Sequence, residues 1–143
     1  MSYLTNQRGK VNAGTPSSGT STSELRTHLT VANVDAALAF YGELLGFEQE
    51  LCLKDENGQT YLGSVEVGST VIMFMNAATS GRPVNPQSSI TLQILFPKTF
   101  DLDALYSRLR DRSVRIIREP GDRPWGRDFC VTDPDGYYIV FST

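Results

Sequence analysis

The sequence predicts an α+β domain of two βαβββ modules, whose curved mixed sheets surround a concave pocket. Three observations predict it. Residues 1–23 are rich in Ser, Thr, Gly and Asn and lack apolar periodicity, and the pattern changes sharply at Glu24. From there a strand, a helix and three strands can be read twice in succession. Both helices also open on matching tripeptides, Val34-Asp35-Ala36 and Leu102-Asp103-Ala104, and repetition at that scale says more than any single element.

Each element has a local cause. Residues 1–23 bury too little apolar surface to offset their ordering entropy, so a flexible tail is expected there. In the folded region, residues 24–143, Leu25, Thr27, Leu29 and Val31 alternate with Arg26, His28 and Thr30, the period of a half-buried strand. Asn33 is an N-cap, Asp35 suits the positive end of the helix dipole, and Ala37, Phe40, Tyr41, Leu44 and Leu45 mark one apolar helix face. Gly46 ends that helix in the left-handed C-cap position. Strands follow over 47–54, 61–67 and 70–75, separated by the turns Asp55-Glu56-Asn57-Gly58 and Gly68-Ser69, which completes module one, 24–76.

Residues 77–88, with two prolines and a glycine, read as a linker. Module two, 89–143, opens with a strand over 90–96. Asp101 caps a second helix, in which Leu102, Leu105, Tyr106 and Leu109 recur at i, i+3, i+4 and i+7. A short strand over 114–118 follows, then one over 125–132. Asp133-Pro134-Asp135-Gly136 makes a hairpin turn, and residues 137–142 form the closing strand. A helix on the outer face of each curved sheet leaves the concave faces to enclose the pocket.

Composition narrows the function. The 143 residues are 40% hydrophobic and 20% charged, enough for a core without disulfide or metal. The net charge is −3, and the modest basic cluster from Arg108 to Arg118 reads as a solvated helix end and the strand after it, not as a nucleic-acid footprint. No apolar run reaches the length of a membrane span and no leader pattern opens the chain, so a cytoplasmic protein is expected. Cys52 and Cys130 sit in apolar strands as small hydrophobes, and the glycines do not form a phosphate loop.

Two motifs resemble a known superfamily. The opening Leu29–Phe47, LTVANVDAALAFYGELLGF, and the closing Pro124–Phe141, PWGRDFCVTDPDGYYIVF, are similar to the corresponding segments of the vicinal oxygen chelate superfamily, the glyoxalase, bleomycin-resistance and extradiol-dioxygenase group. The second resembles the bleomycin-resistance and glyoxalase-like branches most. The resemblance implies metal ligands on the first and last strand of each module. Here those positions fall on Arg26, on Ile72 to Phe74, near Ser88 to Leu92 with Gln87 and Gln93 beside them, and on Val140. A divalent metal wants three or four N, O or S donors. A guanidinium cannot serve, and the aliphatic positions offer nothing, so neither a metal nor another cofactor is expected.

The candidate ligand-binding residues are Arg26, His28, Thr30, Met73, Trp125, Asp128, Tyr138 and Val140. Strand parity puts Arg26, His28 and Thr30 on the cavity face. Arg26 suits either an anion or a salt bridge to Asp128 or Glu66. His28, the single histidine, is either a ligand contact, a general base or a hydrogen-bonded structural residue. Trp125 stacks on a flat ligand and donates its N–H, or it plugs the hairpin. Tyr138 and Val140 share the concave face of the last strand, and Met73 lies in the matching apolar strand of module one. Arg127 and Asp133 are expected to pair.

The resulting expectation is a metal-free protein that sequesters an apolar or aromatic drug or metabolite, as in antibiotic resistance of the bleomycin type, and works as a homodimer. The alternatives are a diverged lyase, isomerase or dioxygenase using His28, Asp128, Glu66 or Tyr138 as acid–base groups, and a dimer module with a vestigial pocket.

Overall fold

The structure is a computed structural model and describes residues 23–86 and 90–143. The tail expected over 1–23, apart from Ser23, lies outside the described residues, as do the end of the 77–88 linker and Ser89.

Module one runs β1 (Arg26–Val31), α1 (Val34–Leu38), β2 (Glu48–Lys54), β3 (Thr60–Val67) and β4 (Thr70–Asn76). Module two runs β5 (Leu92–Leu95), α3 (Leu102–Asp111), β6 (Ile116–Arg123), β7 (Gly126–Thr132) and β8 (Tyr138–Ser142). A single turn, α2 (Ala77–Ser80), opens the expected linker, capped by the Asn76 side chain and closed by Gly81 at φ 67°. The two sheets have the same topology, β1-β4-β3-β2 and β5-β8-β7-β6. In each, the first strand lies parallel to the fourth and the other neighbours are antiparallel. Both sheets are curved and neither is closed.

Three local outcomes differ from the expectation. The first helix is α-helical only as far as Leu38 and continues as a π-helical turn, Ala39–Leu44, in which Leu45 N–H donates to Phe40 O. The wider turn places Phe40 and its neighbour Tyr41 both inside. Gly46 then ends the helix at φ 86°. The second difference is β5, which is shorter than expected. The third is β6, which does not stop at Arg118 but continues to Arg123 past Pro120 and Gly121, with register shifts on either side of Arg118. β6 is an edge strand, and there a proline costs no ladder hydrogen bond.

The core follows from strand parity. Leu29, Val31, Val65, Ile72 and Phe74 of the first sheet meet Val34, Ala37 and Leu38 of α1, while Ile94, Phe129, Val131, Ile139 and Phe141 of the second meet Leu102, Leu105 and Leu109 of α3. All belong to one apolar cluster. Each fully buried Leu or Phe contributes about 2 kcal/mol. Gly63 leaves room for this packing, since a Cβ there would stand 2.9 Å from Leu38 Cδ1.

Polar contacts between the modules centre on the Asp133–Gly136 turn. Tyr41 Oη donates to Asp133 Oδ2 at 2.7 Å, Tyr137 Oη donates to Thr30 O at 2.6 Å, and Ala32 N–H donates to Asp135 Oδ1 at 2.8 Å. The expected Arg127–Asp133 pair does not form. Asp133 is committed to Tyr41 and to the amides of Asp135 and Tyr137, while Arg127 reaches across the surface to Asp103 at 2.9 Å and Asp122 at 3.0 Å. Burial pushes the Asp133 carboxyl above its ordinary value, against its hydrogen bonds. Burial and the neighbouring Asp133 hold the Tyr41 hydroxyl far above its own, so it remains a donor.

Candidate functional site

The concave face of module two forms a groove of about 660 Å3, within the range of small-molecule sites. Its floor is set by the register. Gln93, Val140, Cys130 and Arg118 stand opposite one another across β5, β8, β7 and β6, and Leu95, Ser142 and Asp128 make the next row. The alternate residues face the core, which fixes which side chains meet the groove.

Asp128 anchors the groove and is only 1% exposed. Arg118 Nη2 and Trp125 Nε1 each donate to its Oδ2 at 3.0 Å, and Arg123 Nε donates to Oδ1 at 3.1 Å. Burial works to raise this carboxyl, but the Trp125 and Arg123 hydrogen bonds and the Arg118 guanidinium outweigh it, and its pKa lies below the ordinary carboxylate value. An ionised, fully engaged carboxylate is a poor general base. Trp125 is 67% exposed at the groove rim and so is not a plug. Its N–H is taken by Asp128, and most of the indole is left exposed.

The other predicted residues lie elsewhere. His28 and Thr30 line a smaller cleft of about 300 Å3 at the module joint, together with Tyr138, Tyr137 and Arg82. Met73 stands beside His28 on the concave face of sheet one. Arg26, on the same face, bridges to Glu24 at 3.4 Å and Glu50 at 3.6 Å, and not to Asp128 or Glu66 as expected. Glu50 also accepts a hydrogen bond from Ser64 at 2.9 Å. Of the predicted set, then, Trp125, Asp128 and Val140 share the groove, and His28, Thr30 and Tyr138 share the cleft.

The sequence reading missed Arg118, Arg123, Leu95 and Ser142. Arg118 was hidden in a basic run whose other members, Arg108, Arg110, Arg112 and Arg115, are exposed as expected. Alternation alone would have put Arg118 on the same face as Ile116; the register shift between them turns it to the concave side, and no local pattern announces that shift.

The superfamily's metal does not fit the described residues at its positions; Gln87, Ser88 and Ser89 lie outside them. At its positions Arg26 is bound to two carboxylates, Val140 is aliphatic, and the amide of Gln93 is turned to the Ser142 hydroxyl at 3.0 Å. Among the described residues no three His, Cys, Asp or Glu side chains are grouped to hold an ion.

The family model of the Glyoxalase/Bleomycin resistance protein/Dioxygenase superfamily matches residues 25–141. No curated protein matches the chain. Among solved structures, a glyoxalase/bleomycin resistance protein from Streptomyces sp. CB03234 is 27% identical with a TM-score of 0.63, over 85% of this chain and 100% of that one. TnmS3, an antibiotic binding protein from the same strain, is 25% identical with a TM-score of 0.65, over 87% and 96%. A lactoylglutathione lyase from Agrobacterium tumefaciens shares the fold at 18% identity and a TM-score of 0.62, over 85% and 93%. By fold, motif and family match together, the chain belongs to the glyoxalase/bleomycin resistance protein/dioxygenase superfamily.

Proposed function

We propose that this domain is a metal-free receptor that sequesters a flat, largely apolar or aromatic small molecule, a drug or a metabolite, in the groove of module two. The observation that carries the reading is Trp125, a large ring held at the groove rim by its own N–H and left bare on its face. Leu95 and Val140 supply apolar wall, and Gln93 and Ser142 supply a few polar atoms to orient a guest. The likeness to an antibiotic binding protein at 25% identity agrees with this reading. Acid–base catalysis is less well supported: Asp128 is occupied, and His28 and Tyr138 lie in the other cavity. The reading includes a homodimer, as the superfamily resemblance implies, and sedimentation equilibrium tests that part.

Trp125 is the single tryptophan, so its fluorescence reports on the groove alone. Titration with a panel of aromatic antibiotics and metabolites is expected to quench it stoichiometrically and to raise the melting temperature for at least one compound. No quenching and no thermal shift across the panel would overturn the reading. So would an equivalent of Zn, Ni, Fe or Mn in protein purified without chelator.

A further inference from the structure

We propose that the groove selects aromatic acids, and that Arg118 is the residue that recognises the anionic group. The inference rests on the receptor reading above and assigns its ligand a charge.

Arg118 lies on the edge strand β6, opposite Cys130 in the row that continues through Val140 to Gln93, and its side chain lines the groove. It spends one N–H, from Nη2, on Asp128 Oδ2, and among the described residues Asp128 is its single acceptor. Nearly half of the side chain, 45%, remains exposed. A guanidinium has five donors arranged as a fork that matches a carboxylate in two-point contact. Among the described residues the rest of that fork meets no acceptor.

The charge count points the same way. Among the described residues Asp128 is the one acid lining the groove, and it is shared by two arginines, Arg118 and Arg123. One carboxylate divided between two guanidiniums leaves Arg118 incompletely neutralised beside the apolar surface of Leu95, Val140 and Trp125. Both oxygens of Asp128 are already hydrogen-bonded, so it does not attract a cationic guest in compensation. A planar ring stacked on Trp125 with a carboxylate turned to Arg118 would satisfy both features, and a charge-assisted pair of this kind is about twice as strong as a neutral one. Arg26 of module one, clasped by Glu24 and Glu50, has no such surplus.

The test uses matched pairs of probes, the carboxylate and the carboxamide of naphthalene, anthracene and phenazine, titrated against the full chain by Trp125 fluorescence and calorimetry. For at least one ring system the carboxylate is expected to bind about ten-fold more tightly than its amide, with the gap narrowing as salt is raised. In Arg118→Gln the gap should close by loss of carboxylate affinity while amide affinity holds. In Arg118→Lys, which keeps the charge but loses the fork, part of the gap should remain. Equal affinities in the natural protein would overturn the anion assignment and leave the receptor reading standing, as would a preference that survives Arg118→Gln. Failure of every probe, charged and neutral, would overturn both. Since Arg118→Gln leaves Asp128 with Arg123 and Trp125, its melting temperature is expected to stay near that of the natural protein, and Arg118→Lys gives an independent reading if it does not.

Discussion

The concave faces of the two modules occupy equivalent places in equivalent sheets, yet they carry opposite charge. In module one an arginine, Arg26, lies between the carboxylates of Glu24 and Glu50, and Glu50 is further held by Ser64. In module two a carboxylate, Asp128, lies between the guanidiniums of Arg118 and Arg123, and is further held by Trp125. One face has surplus acid and the other surplus base. The βαβββ repeat therefore fixes where a polar cluster can stand, on the face the helix does not cover. The side chains on the first, second and third strands then decide which sign it presents. That division lets two copies of one architecture present clusters of opposite sign on equivalent faces.

The largest expected effect breaks the cluster of module two. Asp128→Ala removes a buried charge on which three donors converge and leaves two cations facing each other, which should cost about 3 kcal/mol. Glu50→Gln in module one keeps an acceptor for Ser64 and loosens the longer Arg26 contact, so about 1 kcal/mol or less is expected. Urea denaturation measures both. Equal costs would mean that the two clusters are energetically alike and that the contrast is one of charge only. The pH dependence sharpens the point. Because the folded state holds Asp128 below its ordinary pKa, its stabilisation is complete above the unfolded value near 4 and is lost as pH falls through the folded value. Asp128→Asn should therefore flatten the acid limb of the stability curve. Asp133 has the opposite sign: its carboxyl is raised by burial, and its ionised form is relieved as pH falls.

The joint between the modules comes next. Tyr41 is wholly buried and is the hydroxyl partner of Asp133. Tyr41→Phe leaves that buried carboxylate oxygen short of a donor and should cost about 2 kcal/mol. The natural protein should also lose stability as pH rises beyond about 10, where an unfolded tyrosine ionises and this buried one resists, and the variant should lose that part of the alkaline slope. An unchanged alkaline limb would place the sensitivity elsewhere.

What could be read from the chain follows the range of the interactions. The repeat, the caps at Asn33 and Asp101 and the stop at Gly46 all rest on neighbours within a few residues, and they stand as expected. So does the alternation that turns His28 and Thr30 away from Leu29 and Val31. The partners of charged groups were not legible, because a long side chain on a strand can reach several neighbours and the register decides among them. Arg127 finds Asp103 on the helix above it and not Asp133, and Arg26 finds Glu50 through a bulge in β2 that no local pattern announces. The groove's own arginine was lost for the same reason, since Pro120-Gly121 looks like the end of a strand and is a bulge within one.

Trp125→Ala tests whether the groove face is receptive. Loss of the stacking surface should weaken an aromatic ligand about ten-fold while lowering stability little, since the indole is mostly exposed. Loss of stability without loss of affinity would make Trp125 a brace for Asp128 and nothing more.

The smallest expected effect is at His28, and it separates the two cavities. This imidazole stands at the module joint, exposed, in a cleft with Thr30 and Tyr138, and it does not line the module-two groove that holds Trp125. If the ligand lies in that groove, His28→Ala should change its affinity by less than about two-fold, a free-energy difference of a few tenths of a kcal/mol. It should also leave the Trp125 quenching amplitude unchanged. A ligand that spans the joint, or sits in the smaller cleft, would lose a polar contact there and weaken well beyond that. Calorimetry on His28→Ala and Trp125→Ala with the same compound locates the guest by which of the two matters. A strong effect at His28 with none at Trp125 would move the receptor site from the cation-rich face of module two to the seam between the modules.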